Sequence, residues 1–347
     1  MMKTRSGYKF TASVAVLAAF FAFSAISTAC AGERKSIRWA VASTGTYGYK
    51  VAAQCVGVLD SALGGEYTVT VNPYPSTTAA MKATMEGNAE IGYTADVGMS
   101  EVYTSTASFK DYKPVKSRMV HTWYAYPMES FMAVYAPNAS KYKSWGDFSG
   151  KPVFFTPAGF MNWSNFQRIF KVLGYQFKHV QLGEAAQGDA LQAGTIVGAV
   201  AYTTAGLSLP SYWRETELRV AIKLINPSPD EVKKLTAAGL APVEVDATKA
   251  FSKDVGVKTV LGVPILFAYN VLADMPEEVV YKMLKKFYAE KENLAKNDPG
   301  FGPLALDFVG MQVKGINANP TIPVHTGLVK FLKENKAWND KWTIAGK

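Results

Sequence analysis

The chain has 347 residues, a length that predicts about two domains at roughly 100–200 residues each. Apolar residues make up 48% of the chain and charged residues 19%, so it can bury a large core and is not disordered as a whole. The net charge is +9, but no run of Lys or Arg exceeds two residues, which argues against a nucleic-acid partner.

The first 31 residues have the pattern of a secretory signal peptide. Residues 1–10 are short and basic, residues 12–26 are apolar without a charge, and Ala29-Cys30-Ala31 offers a small-residue cleavage site. We expect cleavage after Ala31 and a soluble, periplasmic mature protein, since no later segment reaches 18 uncharged apolar residues. A membrane anchor and lipidation at Cys30 are the alternatives. If Cys30 leaves with the signal, Cys55 is the only thiol, and its apolar helical surroundings predict a buried core residue.

Strand and helix patterns alternate in the first part of the mature chain. Apolar runs predict strands at 37–42, 67–71 and 89–93, and amphipathic spacing predicts helices after Tyr47, Ser76 and Asp96. Three successive strand–helix units indicate a parallel sheet with helices on both faces.

The alternation resumes after a turn-rich connector at 145–151. Strands are predicted at 152–155, 179–182, 196–202 and 218–222, and helices at 162–173 and 184–193. The β-compatible run 257–269 would return the chain to its first unit, followed by a helix capped by Asp274 and a last helix at 323–335. The chain therefore crosses twice between two α/β lobes. We place lobe 1 at 32–128 plus 268–347 and lobe 2 at 129–267, with a ligand cleft between them.

Small hydroxyl residues recur where predicted strands end and helices begin. They occupy 43–46, 76–78, 94, 156 and 203–204. In open parallel sheets these ends form the ligand crevice, and each helix start offers free N–H groups to a carboxylate. The alternative is that the same residues are helix N-caps and nothing more.

Aromatic residues stand beside the same turns, and Tyr47, Trp163 and Tyr202 would wall the apolar part of a pocket. Ordinary core packing is the alternative for each. No Arg lies in a turn, and Arg168 is expected to face solvent from its helix. An anion would therefore be held by backbone N–H groups, hydroxyls and Asn162.

Enzyme motifs are not assembled in this sequence. The three histidines, His121, His179 and His325, form no zinc-type pair, and no nucleophile elbow, phosphate loop or dinucleotide fingerprint occurs. Residues 140–143 match S-x-x-K without its companion motifs, which we interpret as chance. We expect no catalytic activity, no cofactor and no metal.

Five stretches in order resemble the TAXI-type substrate-binding proteins of tripartite ATP-independent periplasmic (TRAP) transporters. They are Ser43–Tyr47 (family S-T-G-G-x-Y), Ser76–Gly92 (ending in G-E-A-D-I-G in the family), Gly183–Ile196 (E-A-A-x-x-L-x-x-G-x-I), Asp274–Tyr281 (A-D-L-P-E-D-L-V-Y) and Ile322–Gly327 (I-P-L-H-P-G). The resemblance spans about residues 37–337. It implies a two-lobed periplasmic-binding-protein fold of the type II-like class and a small carboxylate ligand such as glutamate or 2-oxoglutarate.

The second lobe departs from the family pattern. Where the family has G-x-P-G-S-G-T-E-x-N, this chain has Thr156–Asn165, with Phe160, Met161 and Trp163 at small or hydroxyl-bearing positions. This bulkier loop points to a more apolar or aromatic acid. The Asp expected after Ile196 is Val197.

The sequence thus predicts a monomeric periplasmic receptor that delivers a small organic acid to TRAP membrane subunits, which we expect to be a fused permease. The alternatives are a binding protein read by a signalling sensor and, less favoured, an exported enzyme using the same cleft. The candidate ligand-binding residues are Thr44, Gly45, Thr46, Tyr47, Ser76, Thr77, Asp96, Asn162, Trp163, Tyr202 and Thr203. His325 is expected near the lobe junction in a structural role.

Overall fold

One mixed sheet organises the chain in a computed structural model that describes residues 34–346. Within those residues it has nine strands. They are β1 (Lys35–Val41), β2 (Tyr67–Pro73), β3 (Ile91–Ala95), β4 (Met119–Tyr135), β5 (Val153–Phe154), β6 (Gly198–Thr204), β7 (Ile222–Ile225), β8 (Val243–Asp246) and β9 (Thr259–Leu272). The strand order is β2-β1-β3-β9-β4-β6-β5, with β7 also paired to β4 and β8 to β9.

Helices connect the strands and make up most of the C-terminal part of the chain. They are α1 (Tyr47–Leu63), α2 (Thr77–Met85), α3 (Asp96–Thr104), α4 (Met161–Leu173), α5 (Gln187–Ala193), α6 (Ser211–Arg219), α7 (Pro229–Ala237), α8 (Ala247–Ala250), α9 (Glu277–Asn297), α10 (Gly302–Leu306), α11 (Phe308–Ala318) and α12 (Thr326–Glu334). None of the helices between residues 34 and 346 has the length and apolar character of a bilayer span. The signal-peptide prediction for residues 1–31 lies outside the described residues.

The two longest strands, β4 and β9, carry the chain between the two parts of the sheet. They pair antiparallel from Met119–Leu272 to Ser130–Val263. β3 pairs with β9 on one side of this central pair, and β6 pairs with β4 on the other side. β4 has 17 residues and β9 has 14. Most of them are apolar or aromatic, because both faces of a central strand are buried.

We call residues 36–118 and 273–346 the first half and residues 136–258 the second half. The chain leaves the first half through β4 and returns through β9, after which α9 packs against α1. This topology confirms the predicted fold class, an α/β fold of the two-lobed, type II-like kind in which the chain crosses twice between the lobes. Residues 36–346 group as one compact unit.

The sheet is only partly parallel, which corrects the parallel-sheet prediction. The β1–β3 and β5–β6 pairs are parallel, whereas every pair that β4 or β9 makes is antiparallel. Alternating βα patterns do predict parallel pairs, but the crossing strands have to run against their neighbours because they enter from the opposite end of the sheet.

The prediction of a strand at 218–222 is wrong. Residues 211–219 form α6, which begins after Pro210, and its neighbour strand is β7. The buried residues of this segment recur at helical spacing, as expected for a helix that packs one face on the core. They are Tyr212, Trp213, Thr216 and Glu217. The strand predicted at 179–182 is reduced to one isolated bridge between His179 and Val153.

Local contacts confirm two smaller predictions, the burial of Cys55 and the structural role of His325. Helix α1 ends at Gly64 in the left-handed region (φ 55°), and Cys55 is fully buried within the helix. His325 caps α12: its Nδ1 accepts from the Gly327 N–H at 3.1 Å, and its Nε2 lies 2.9 Å from the Met275 carbonyl. His325 therefore has the structural role expected for it.

Candidate functional site

Three helix starts meet at one small internal cavity between the two halves. The starts of α1 and α2 come from the first half and the start of α4 from the second half. The cavity is lined by Ala42, Thr46, Tyr47, Thr77, Tyr93, Met128, Phe160, Met161, Asn162, Tyr202 and Phe267. Five of the eleven predicted ligand-binding residues are in this set: Thr46, Tyr47, Thr77, Asn162 and Tyr202.

The cavity is nearly closed. Its volume is about 10 Å³, close to the least that holds a single water molecule. Phe160 and Met161, the bulky residues of the altered loop, lie on its wall. The two halves touch beside it, where the Gly159 carbonyl accepts from the Thr78 N–H at 3.0 Å and from Thr78 Oγ1 at 2.9 Å.

The helix starts bring unpaired N–H groups to the cavity. The first N–H groups of a helix have no partner inside it, and together they carry a partial positive charge. Thr46 Oγ1 caps α1 by accepting from the Tyr49 N–H. Phe160 is the residue before α4, and its phenyl side chain cannot accept a hydrogen bond from the helix. The first turn of α4 therefore keeps its free N–H donors.

Two side-chain donors on the cavity wall have no partner among residues 34–346. The Thr77 hydroxyl makes no hydrogen bond, although Thr77 is only 1% exposed. Asn162 accepts from Ser130 Oγ at 2.6 Å through Oδ1, and its Nδ2 donates to nothing in that part of the chain. Both residues line the cavity, so these two donors are free to meet an acceptor placed there.

The tyrosine hydroxyls around the cavity are already engaged with one another. Tyr126 donates to Tyr93 at 2.9 Å, and Tyr202 pairs with Tyr212. Burial raises the pKa of Tyr93 and of Tyr202, so both stay neutral. These residues present ring surface to the cavity rather than free charge.

Tyr47 links the cavity to a buried acid on the outer side. Its hydroxyl donates to Asp298 Oδ1 at 2.8 Å, while the Lys50 ammonium lies 2.8 Å from Asp298 Oδ2. Burial, followed by the neighbouring Asp298 carboxylate, raises the pKa of Tyr47. Because Lys50 neutralises Asp298 and Tyr47 separates it from the cavity, the acid adds no negative charge to the lining.

An open groove adjoins the cavity and shares Thr46 and Tyr47 with it. The groove measures about 760 Å³ and lies between the start of α1 and the segment 207–214 of the second half. Thr44 and Gly45 line this groove, not the cavity. Lys50 and Arg214 line this groove, and each is paired with a carboxylate, Lys50 with Asp298 and Arg214 with Glu217.

Comparison with protein-family models identifies the family to which the chain belongs. The model of the NMT1-like family matches residues 39–335. The chain belongs to the NMT1-like family. No curated protein is similar enough in sequence to count as a match.

Distant similarity to solved structures accompanies this NMT1-like assignment. The alkanesulfonate-binding protein SsuA from Xanthomonas axonopodis pv. citri, bound to MOPS, is 12% identical with TM-score 0.48, covering 90% of this chain and 98% of its own. MatC from Rhodopseudomonas palustris, with bound malate, is 12% identical with TM-score 0.49, covering 82% and 98%. The GluR0 ligand-binding core from Nostoc punctiforme, in complex with L-glutamate, is 10% identical with TM-score 0.42, covering 78% and 96%.

Three other predicted residues of this NMT1-like chain have local roles away from the cavity wall. Ser76 caps α2 through the Ala79 N–H, and Thr203 Oγ1 donates to Glu129 at 2.7 Å. The Trp163 ring lies against Phe177 and His179 of the second half.

Asp96 lies in a second groove, of about 440 Å³, on another side of the interface between the halves. It is the first residue of α3, and its Oδ1 accepts from the Leu266 N–H at 3.0 Å. Arg168 stands 3.9 Å from Asp96 Oδ2 and donates to Asn165 through Nε at 2.8 Å. The expectation that Arg168 faces solvent is therefore wrong, because α4 packs against α3.

Sequence reasoning missed four wall residues of the NMT1-like chain: Ala42, Tyr93, Met128 and Phe267. Ala42 follows β1 and the other three come from β3, β4 and β9, where an aromatic or apolar residue is indistinguishable from core packing. The only available signal was the position of Tyr93 one residue before the predicted turn at Thr94. Within residues 34–346, no group of three or more His, Cys, Asp or Glu side chains could hold a metal ion.

Proposed function

We propose that this NMT1-like chain is a periplasmic solute-binding receptor of a TRAP transporter that captures a small organic acid. The observation that carries the proposal is the meeting of three helix N-termini at one enclosed cavity with no charged side chain on its wall. Such a site is suited to an anion, because helix starts supply both N–H donors and a positive field.

The ligand carboxylate would lie where the free donors converge. Thr77 Oγ1 and Asn162 Nδ2 would donate to its oxygens, together with the first N–H groups of α1 and α4. Tyr47 and Tyr202 would pack against the ligand body, while Thr46 fixes the start of α1 through its cap. Hydrogen bonds to a charged group each contribute about 1.5–3 kcal/mol, so two or three of them account for specific binding.

Binding would couple to closure of the two halves. A cavity of about 10 Å³ admits no organic acid, so the contacts of Thr78 with Gly159 have to open before the ligand enters. A ligand that touches both halves favours the closed arrangement, since it has more contacts there. The closed form would be the one that the membrane subunits recognise.

The TRAP assignment rests on the five ordered motifs of the sequence. Two of them, Ser43–Tyr47 and Ser76–Gly92, supply the starts of α1 and α2 that reach the cavity. The signal-peptide pattern of residues 1–31 supports export to the periplasm, where such receptors work.

A thermal-shift screen tests the proposed function. The chain without residues 1–31 is melted with short carboxylates, keto acids, amino acids and aromatic acids. A true ligand at 100 times its Kd stabilises the folded state by about 2.7 kcal/mol, which gives a clear rise in Tm. Organic amines of matched size serve as controls and should give no rise. Failure of every acid to raise the Tm would contradict the proposal.

A further inference from the structure

The charges around the cavity decide which kind of acid it can hold, an inference that rests on the proposed function. The geometry points to a singly charged organic acid with a compact apolar body and no amino group, rather than an α-amino acid or a dicarboxylate. None of the eleven wall residues is charged. One anionic group therefore has donors, and any further charge on the ligand does not.

An ammonium group would find no acceptor of opposite charge. Two buried acids near the cavity, Asp298 and Glu129, are already engaged, and neither lines it. Asp298 is held by Tyr47 and Lys50, and Glu129 accepts from Thr203 Oγ1 at 2.7 Å and from the Gly206 N–H at 2.9 Å. Burying an ammonium without a partner is strongly unfavourable, so α-amino acids are disfavoured.

A second carboxylate would find no cation. The basic side chains nearest the interface point to other partners: Lys50 to Asp298 and Arg214 to Glu217 at the outer groove, and Arg168 to Asp96 at the second groove. The free donors at the cavity are Thr77, Asn162 and the helix starts, and one carboxylate uses them. A second one would be buried without compensation.

The remaining wall favours an apolar ligand body. Ala42, Met128, Phe160, Met161 and Phe267 supply aliphatic, thioether and aromatic surface. Each buried methylene of a ligand gains about 0.8 kcal/mol against such a wall. Methionine side chains adjust their shape, so Met128 and Met161 can make room as the cavity forms around the ligand.

Isothermal titration with three five-carbon acids tests this inference. Pentanoate carries one charge, norvaline adds an ammonium and glutarate adds a second carboxylate. We expect pentanoate to bind at least about tenfold more tightly than the other two, which corresponds to about 1.4 kcal/mol. Tighter binding of norvaline, glutarate or glutamate would overturn the inference and leave the proposed function intact. If no acid in this set or in the wider screen binds, both fail.

Charge substitution at the wall supplies a second test. Asn162→Asp keeps the acceptor for Ser130 and replaces the free donor with a carboxylate. We expect pentanoate to bind at least about tenfold more weakly to this variant than to the original chain, as for the loss of a hydrogen bond to a charged group. We also expect the affinity for norvaline to rise relative to the affinity for pentanoate. Thr77→Asp gives the same test from α2 if the first variant does not fold. An unchanged ratio in a folded variant would overturn the inference.

Discussion

Two threonines of similar burial show how a hydroxyl can serve the ligand or the fold. Thr77 is 1% exposed and its hydroxyl has no partner among residues 34–346, whereas Thr203 is fully buried and donates to Glu129. Both side chains stand at the start or end of a regular element and both were predicted ligand residues. Only their contacts separate them.

Replacing each threonine by valine should give opposite results. Thr77→Val removes an unpaired hydroxyl, so we expect unfolding free energy without ligand to change by less than about 0.5 kcal/mol and ligand affinity to fall several-fold. Thr203→Val leaves Glu129 short of a donor and should destabilise the chain by about 1–3 kcal/mol. Urea unfolding and calorimetric titration measure both quantities. Equal destabilisation by the two variants would make Thr77 a core residue.

Glu101 gives a residue-scale test that depends on pH. It is buried on α3 beside Arg168 of α4, and burial raises its pKa to about 7. In the unfolded chain a glutamate titrates near about 4.3. The folded state therefore holds the proton more tightly, and this group reduces stability as pH rises from about 4.5 to about 7.

Glu101→Gln should remove that loss. We expect the variant to match the original chain near pH 4.5 and to exceed it by roughly 1–3 kcal/mol at pH 8, where Glu101 would be charged and buried. Urea unfolding of both chains at the two pH values checks the difference. A stability difference of the same size at both values would contradict the account.

At the scale of elements, the start of α1 is fixed by its close approach to β3. A Cβ built on Gly48 would lie within 2.8 Å of three ring atoms of Tyr93. That ring stacks on Phe267 with centroids 5.0 Å apart, and both rings line the cavity. The helix start can sit at the cavity only because residue 48 has no side chain.

Gly48→Ala should therefore disturb the cavity wall. Overpacking of this kind typically destabilises by about 1–3 kcal/mol. Gly57 lies in the same helix with nothing within 4 Å of a built Cβ, and Gly57→Ala should stabilise the helix by about 0.5–1 kcal/mol. Thermal unfolding of the pair checks the contrast. Equal stability of both variants would show that Tyr93 gives way freely.

The sequence predicted the elements that periodicity marks and missed what depends on distant contacts. The hydroxyl-rich starts of α1 and α2 and the return strand β9 were found because capping residues and apolar runs are local signals. The bond from Tyr47 to Asp298 joins residues 251 positions apart, and no local pattern contains it. Arg168 was misjudged for the same reason, since helical spacing does not reveal that α3 covers α4.

At the scale of the whole molecule, the closed cavity implies that the two halves separate during ligand exchange. The halves are joined by β4 and β9 and touch at Thr78 and Gly159. A Cβ built on Gly159 would lie 3.8 Å from the Thr78 Cβ, which is close to the separation of about 3.8 Å in a disulfide. Gly159 has a φ of 91° and the same Cβ would lie 3.0 Å from Ser76 Oγ, so a cysteine there is strained and the Ser76 side chain has to shift. Cys55 is fully buried and would not compete for the bond.

A cross-linked variant tests this implication. We expect the oxidised double variant Thr78→Cys, Gly159→Cys to take up no acid, because a closed cavity of about 10 Å³ has no space for one. Reduction of the same protein should restore binding, which makes it its own control. Calorimetric titration with and without reductant measures the difference. Equal affinity of the two forms would mean that exchange needs no separation here.

A crystal structure of the chain with the acid that stabilises it most would test the central claim directly. We predict one acid per chain, with its carboxylate within hydrogen-bond distance of Thr77 Oγ1 and Asn162 Nδ2 and facing the starts of α1 and α4. A ligand held instead in the outer groove, between Lys50 and Arg214, would contradict the assignment of the cavity as the binding site.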